Sequence, residues 1–140
     1  MICKKLGSNW VIRIDKGEEI VSNIKEICEK NNIKAGFISA IGAADKVKIG
    51  LFNTNTKVYH SETLSGDFEI TNLTGNVSRK DGEVYIHLHI TVSDEEYKAY
   101  GGHLNEAWIS GTCEMLLTEV DGEIGRQFDD NSGLNIFELK

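Results

Sequence analysis

Three histidines are the residues in this sequence whose type and spacing best fit a chemical site. His87 and His89 lie two positions apart in the segment Glu83–Val92, where apolar and polar residues alternate. This two-residue period predicts a half-buried strand, with both imidazoles on one face and about 7 Å apart at Cα. His103 follows a double glycine, whose small size allows the backbone to bring a third imidazole in. Three neutral imidazoles can hold a divalent metal and leave a position open.

The three histidines support two interpretations. In the first, they form a site for Zn²⁺, Ni²⁺ or Fe²⁺, or for a small anionic ligand. A bound metal can lower the pKa of its water enough for hydrolysis, and Glu106 is then a candidate to accept a hydrogen bond from a histidine ligand or to act as a base. In the second, the histidines are only polar residues on the exposed face of a strand and bind no ligand, and Glu106 is solvated. Neither interpretation assigns a catalytic residue, and a binding protein is favoured over an enzyme.

Composition limits the classes of function. The length of 140 residues predicts one domain, 1–140, large enough to bury a core without disulfides. A formal net charge of −7, with no run of Lys or Arg, disfavours autonomous duplex binding, so any contact with DNA is expected to be weak or indirect. No Gly-x-Gly-x-x-Gly sequence follows a strand, and no nucleotide cofactor is expected. No apolar run has membrane-spanning or signal-peptide length, which predicts a cytoplasmic protein without a membrane contact.

One helix is predicted ahead of the histidine strand. Apolar residues recur at helical spacing from Ile20 to Cys28, and polar residues fill the positions between them. Asp15 is the expected N-cap, with Glu18 three residues later as its partner in a capping box. The helix is expected to end at Asn31–Asn32.

Turn residues divide the rest of the chain into strands. Asp81-Gly82 predicts a tight hairpin that leads into the histidine strand, and Asp121-Gly122 predicts a second hairpin. Ser65-Gly66 is expected to break a strand, and 33–41 is expected to be a fully buried strand. Further strands are predicted at 10–14, 47–52, 57–64, 106–120 and 134–139. One main helix with seven or eight strands indicates an α+β domain built on a central antiparallel β-sheet.

Four glycine- and histidine-containing motifs resemble those of a known family. They are Gly36–Gly42, Leu64–Ile70, His87–His89 and Gly101–Leu104. Their order and spacing are similar to those of the plants-and-prokaryotes-conserved (PPC) domain, in its stand-alone prokaryotic form. The resemblance runs from about Trp10 to Phe137.

This resemblance implies an α+β fold, a homotrimeric assembly and an association with DNA binding and transcription. In plant relatives a Gly-Arg-Phe-Glu-Ile motif contacts other proteins, and the corresponding residues here are Gly66, Asp67, Phe68, Glu69 and Ile70. Asp67 stands where the arginine would be, and the chain contains no Arg-Gly-Arg-Pro core of an AT-hook. The residues and the resemblance together predict a trimeric binding protein with a metal or small-ligand site at His87, His89 and His103, near a subunit boundary. The alternatives are a metal-dependent enzyme that uses the same histidines and an accessory transcriptional regulator.

Overall fold

Long β-strands dominate the computed structural model, which describes residues 1–139. Lys140, the last residue of the predicted domain, lies outside the described residues. The elements are β1 (Ile2–Leu6), β2 (Asn9–Asp15), α1 (Ile20–Lys30), β3 (Gly36–Asn53), β4 (Val58–Lys80), β5 (Glu83–Ser93), β6 (Ala99–Glu119), β7 (Gly125–Asp129) and β8 (Leu134–Glu138). Within residues 1–139, no helix is both long enough and apolar enough to cross a membrane.

All eight strands belong to one sheet, in the order β1-β2-β6-β3-β4-β7-β8, and β5 pairs with both β4 and β6. The strands β3, β4, β5 and β6 therefore form a closed circuit of pairings. Among the described residues, every pairing is antiparallel except that of β4 with β7, which is parallel at Arg79 and Gly125. The predicted combination of one helix with about eight strands is confirmed, but the sheet is mixed rather than wholly antiparallel.

Strand lengths are where the sequence-based prediction was wrong. Ser65-Gly66 does not end a strand, because it lies within β4, which is 23 residues long. Residues 36–41 of the first predicted strand and the whole predicted strand 47–52 are parts of the single strand β3, whereas residues 33–35 precede it. Register shifts between Ala40 and Gly42, and between Ala44 and Lys46, mark bulges in β3. A bulge bends a strand without ending it, so these strands curve where the sequence suggested breaks.

The second predicted hairpin is also absent from the described chain. The strand after Asp121-Gly122 is β7, which pairs with β4 and β8 and not with β6. The two-residue turn therefore leads the chain away from β6 to the edge of the sheet next to β4, where β7 and β8 lie. By contrast, Asp81 and Gly82 both have positive φ and close a tight turn between β4 and β5, as predicted.

The core lies between the helix and one face of the sheet. The apolar face of β5 is buried at Leu88, Ile90 and Val92. The apolar stripe of α1 packs against the same core through Ile20, Ile24, Ile27 and Cys28, all of them buried. The segment 33–41, predicted to be wholly buried, alternates instead: Ile38 and Ala40 are buried while Phe37 and Ile41 are exposed.

Exposed apolar side chains collect on the opposite side of the sheet. Val11, Phe37, Ile41 and Leu116 are 45, 49, 60 and 42 % exposed. They lie on the adjacent strands β2, β6 and β3, where Leu116 is the register partner of Val11. We call these four residues the outer apolar face. A group of exposed apolar side chains of this kind is typical of a contact with another protein.

Glu19, and not Asp15, caps the helix. The Glu19 carboxylate accepts hydrogen bonds from the backbone N–H groups of Val21 (2.9 Å) and Ser22 (2.7 Å). It also accepts one from the N–H of Ala107 in β6 (3.0 Å). The Glu18 carboxylate does bond the Asp15 N–H, but this bond spans the turn before the helix. A capping carboxylate that also bonds a neighbouring strand fixes the position of the helix as well as its start.

We expect Glu19→Ala to lower the free energy of unfolding by about 1–3 kcal/mol, because three backbone N–H groups lose their acceptor. Urea denaturation measures the change. Glu26→Ala is the matched control, since Glu26 is exposed on the same helix, and we expect an effect within about 0.5 kcal/mol. Equal losses in the two variants would contradict the capping role.

Candidate functional site

The structure brings the three predicted histidines together. His87 and His89 project from the same face of β5, and His103 in β6 is the direct register partner of His89. One ligand nitrogen of each histidine lies within 4.8 Å of those of the other two. The ring centroid of His87 lies 5.1 Å from that of His89 and 5.3 Å from that of His103. Three imidazole nitrogens thus point into a common volume.

The double glycine before His103 allows three strands to meet at this point. A Cβ at Gly101 would lie 2.9 Å from the carbonyl oxygen of Ile90 in β5. A Cβ at Gly102 would lie 2.7 Å from the carbonyl oxygen of Gly50 in β3. Side chains at these positions would force β6 away from its neighbours. The glycines therefore permit the close approach that places His103 opposite His89.

Partial burial keeps two of the imidazoles in their neutral form. Burial, followed by the nearby charges of His103 and Arg126, lowers the pKa of His87 from 6.5 to about 4. Burial and the charge of His89 also lower the pKa of His103. A neutral imidazole offers a free lone pair, so both groups are in the state that binds a metal or accepts a hydrogen bond at neutral pH.

A cleft of about 730 Å³ opens beside the histidines. Its histidine wall also carries Tyr59, whose ring contacts His103 edge to face at 6.1 Å between centroids and whose hydroxyl donates to Asn105 (2.6 Å). The cleft also has an apolar lining, which comes partly from the β7–β8 hairpin. The apolar lining residues are Leu51, Phe52, Leu134, Ile136 and Phe137.

Arg126 lines the same cleft and was missed by sequence reasoning. Its guanidinium lies between the rings of Tyr85 and Phe137, 4.5 and 4.6 Å from their centroids. It donates to Ser78 Oγ (2.7 Å) and Asn76 Oδ1 (2.8 Å), residues 48 and 50 positions earlier. Contacts over such separations leave no local pattern. The one sequence signal that could have pointed to Arg126 was its partner Tyr85, which belongs to the polar face of the histidine strand.

Glu106 and His60 lie apart from the histidine cluster. Glu106 is on β6 opposite Lys48 in β3. Among the described residues that line the cleft, Glu106 does not appear, and its role as a base stays a prediction. His60 is exposed on β4, where it pairs with Leu51.

The predicted partner-contact motif lies within β4. Phe68 and Ile70 are buried in the core. Gly66, Asp67 and Glu69 are exposed, so the motif presents two carboxylates to the surface. A role in contacting partners stays a prediction for this segment.

Comparisons with known proteins agree with this fold. The sequence profile of the Plants and Prokaryotes Conserved (PCC) domain matches residues 1–121. A solved structure described as a putative DNA-binding protein from Bacteroides thetaiotaomicron is similar, with 36 % identity, a TM-score of 0.95 and coverage of 98 % of this chain and 96 % of that one. A PPC protein from Pyrococcus horikoshii has 34 % identity, a TM-score of 0.86 and coverage of 99 and 96 %. A protein from Archaeoglobus fulgidus, described as metal-containing, has 33 % identity, a TM-score of 0.89 and 99 % coverage of both chains.

A curated relative of a different kind matches as well. The bifunctional protein GlmU from Synechococcus sp. strain JA-3-3Ab is 28 % identical over 127 residues. The match covers 89 % of this chain and 19 % of the relative, so the chain spans about a fifth of that protein's length.

Proposed function

The chain belongs to the Plants and Prokaryotes Conserved (PCC) domain family, and on this basis we propose that it is a binding module whose site at His87, His89 and His103 holds a divalent metal or a small ligand. The observation that carries the proposal is the convergence of three imidazole nitrogens within 4.8 Å. A histidine nitrogen binds Zn²⁺ at about 2.0–2.1 Å, so modest side-chain rotations would let all three reach one ion. The metal-containing relative from Archaeoglobus fulgidus supports the same reading.

The donor set fits Zn²⁺, Ni²⁺ or Fe²⁺, which accept imidazole ligands. His87, held neutral by its burial, offers a lone pair without first losing a proton. A bound metal would supply a Lewis acid with at least one open position. The chain's own part is to fix the three imidazoles on paired strands and to shape the cleft beside them. Glu106 faces Lys48 and lies outside the cleft lining, so a binding role is better supported than an enzymatic one.

We expect protein purified without an affinity tag to contain about one metal ion per three-histidine site, because three preplaced imidazoles bind borderline divalent ions strongly. Elemental analysis by mass spectrometry measures the content. The double variant His87→Ala, His89→Ala is expected to lose the metal.

His60→Ala is the matched control, since His60 is an exposed histidine on a neighbouring strand. It is expected to keep the full metal content. Metal-free wild-type protein that also fails to take up Zn²⁺, Ni²⁺ or Fe²⁺ in a titration would rule out the metal site.

We also propose that the chain assembles as a homotrimer through the outer apolar face. The single chain leaves a group of large apolar side chains exposed on this face, namely Val11, Phe37, Ile41 and Leu116. The register connects this face to the site, since Asn76 pairs with Phe37 on one side and with His87 on the other. An assembly through this face would place the histidines near a subunit boundary.

Light scattering coupled to size exclusion is expected to give three times the chain mass of 15.6 kDa. The double variant Phe37→Glu, Ile41→Glu is expected to reduce it to the mass of one chain, because two buried charges would oppose assembly. Tyr97→Glu is the control, since Tyr97 is 90 % exposed in the turn between β5 and β6. A single-chain mass for the unmodified protein at micromolar concentration would contradict the proposal.

Contact with DNA is proposed to be weak or to require another protein. The Bacteroides thetaiotaomicron relative is described as a putative DNA-binding protein. This chain carries a formal charge of −7, with 22 acidic and 15 basic residues. Phosphate neutralisation by Lys and Arg supplies most of non-specific DNA affinity, and the chain has no basic run to provide it.

Fluorescence anisotropy with a labelled duplex at about 150 mM salt is expected to show no binding tighter than about 10⁻⁶ M, the upper range of non-specific affinity. The metal-loaded and metal-free proteins should behave alike in this assay. Nanomolar affinity for the duplex in either state would overturn the proposal.

A further inference from the structure

None of the described residues that line the cleft beside the histidines carries an acidic side chain. The chain has 22 acidic residues among 140. Among the described residues that line the cleft, there are three histidines and Arg126 but no Asp or Glu. In a protein with an excess of carboxylates, a lining without one favours a ligand of negative charge.

Arg126 places an uncompensated positive charge in this cleft. Its three hydrogen bonds go to neutral acceptors: Ser78 Oγ, Asn76 Oδ1 and the carbonyl oxygen of Asn135 (2.6 Å). Within residues 1–139, no carboxylate lies close enough to form an ion pair with it. A guanidinium has five N–H donors, so two remain for a ligand.

The position of the guanidinium is fixed before any ligand arrives. The rings of Tyr85 and Phe137 pack against it, and Ser78 and Asn76 accept hydrogen bonds from it. A side chain fixed in this way loses little conformational entropy when it binds an anion. A partly buried charge without a partner is also costly, and an anionic ligand would remove that cost.

The other side chains that line the cleft suit a ligand with an apolar body. Leu51, Leu134 and Ile136 are 64, 39 and 39 % exposed, and all three line the cleft. Covering these side chains would remove apolar surface from water. The cleft therefore combines one anion-binding group with an apolar surface.

We propose that this cleft binds a small organic carboxylate with an apolar body, and that Arg126 receives its carboxylate. The inference deepens the proposed function, since it rests on the same ligand site and names the class of its ligand. A single guanidinium matches the charge of a carboxylate, whereas a phosphate dianion usually requires further cations or a nest of backbone N–H groups.

The ligand class is set by a part of the chain outside the matched family segment. That segment ends at residue 121. Arg126 and the apolar residues Leu134, Ile136 and Phe137 all come from the β7–β8 hairpin that follows it. The histidines thus belong to the family segment, and the groups that select the ligand belong to the hairpin.

The test compares 2-naphthoate with its neutral analogue 2-naphthamide by isothermal titration calorimetry on the wild-type protein. We expect the carboxylate to bind at least about tenfold more tightly, as a charge-assisted hydrogen bond predicts. Arg126→Gln is expected to lower the affinity for 2-naphthoate about tenfold or more and to leave that for 2-naphthamide unchanged. Arg13→Gln is the matched control, since Arg13 is exposed on β2, and it should change neither affinity.

Equal affinity of the wild-type protein for the two probes would overturn the proposal, and this comparison requires no variant to fold. Tighter binding of 2-naphthyl phosphate than of 2-naphthoate would overturn the assignment to a carboxylate. The titrations are done on both chelator-treated and Zn²⁺-loaded protein. A preference for the carboxylate in metal-free protein that takes up no metal would uphold this inference while removing the metal site. Bound metal in a protein that does not prefer the carboxylate would uphold the metal site and overturn this inference.

Discussion

The pairing of β6 with two strands at once is the constraint on which the site depends. His103 lies opposite Gly50 of β3 and opposite His89 of β5, because the double glycine before it lets the three backbones approach. The tight turn at Asp81-Gly82 sets β5 against β4 and so fixes the other two imidazoles. The cluster is therefore built on regular strands within a closed circuit, and not on loops. Groups held in this way need little rearrangement to act together.

The charges of the chain are separated in a way that supports this arrangement. The described residues that line the cleft include histidine and arginine but no carboxylate, whereas carboxylates lie elsewhere, as in the turn at Asp94–Glu96. Asn76 links the two surfaces of interest, since it accepts a hydrogen bond from Arg126 and lies between Phe37 and His87 in the sheet. The cleft and the outer apolar face are thus neighbouring parts of one surface of the sheet.

Local pattern was enough to predict the helix, the histidine strand and the Asp-Gly hairpin, because each depends on residues close together in the chain. The lengths of β3 and β4 were not predictable, since bulges allow a strand to pass through glycines that normally end one. The helix cap was assigned to Asp15 because Asp is a common N-cap residue, whereas Glu19 owes its role partly to the distant N–H of Ala107. Arg126 was missed for a similar reason, since its partners Asn76, Ser78 and Tyr85 lie far earlier in the sequence.

The pairing of β2 with β6 has a consequence for how the chain folds as it is synthesised. Asn9 pairs with Thr118, and their side chains form a hydrogen bond across 109 positions. The amino-terminal hairpin of β1 and β2 therefore has no further partner strand until β6, about a hundred residues later, has left the ribosome. Closing so long a loop is entropically costly and slow compared with local hairpin formation. During that interval the apolar side of β2 is open to water, and the nascent chain is a candidate client for chaperones.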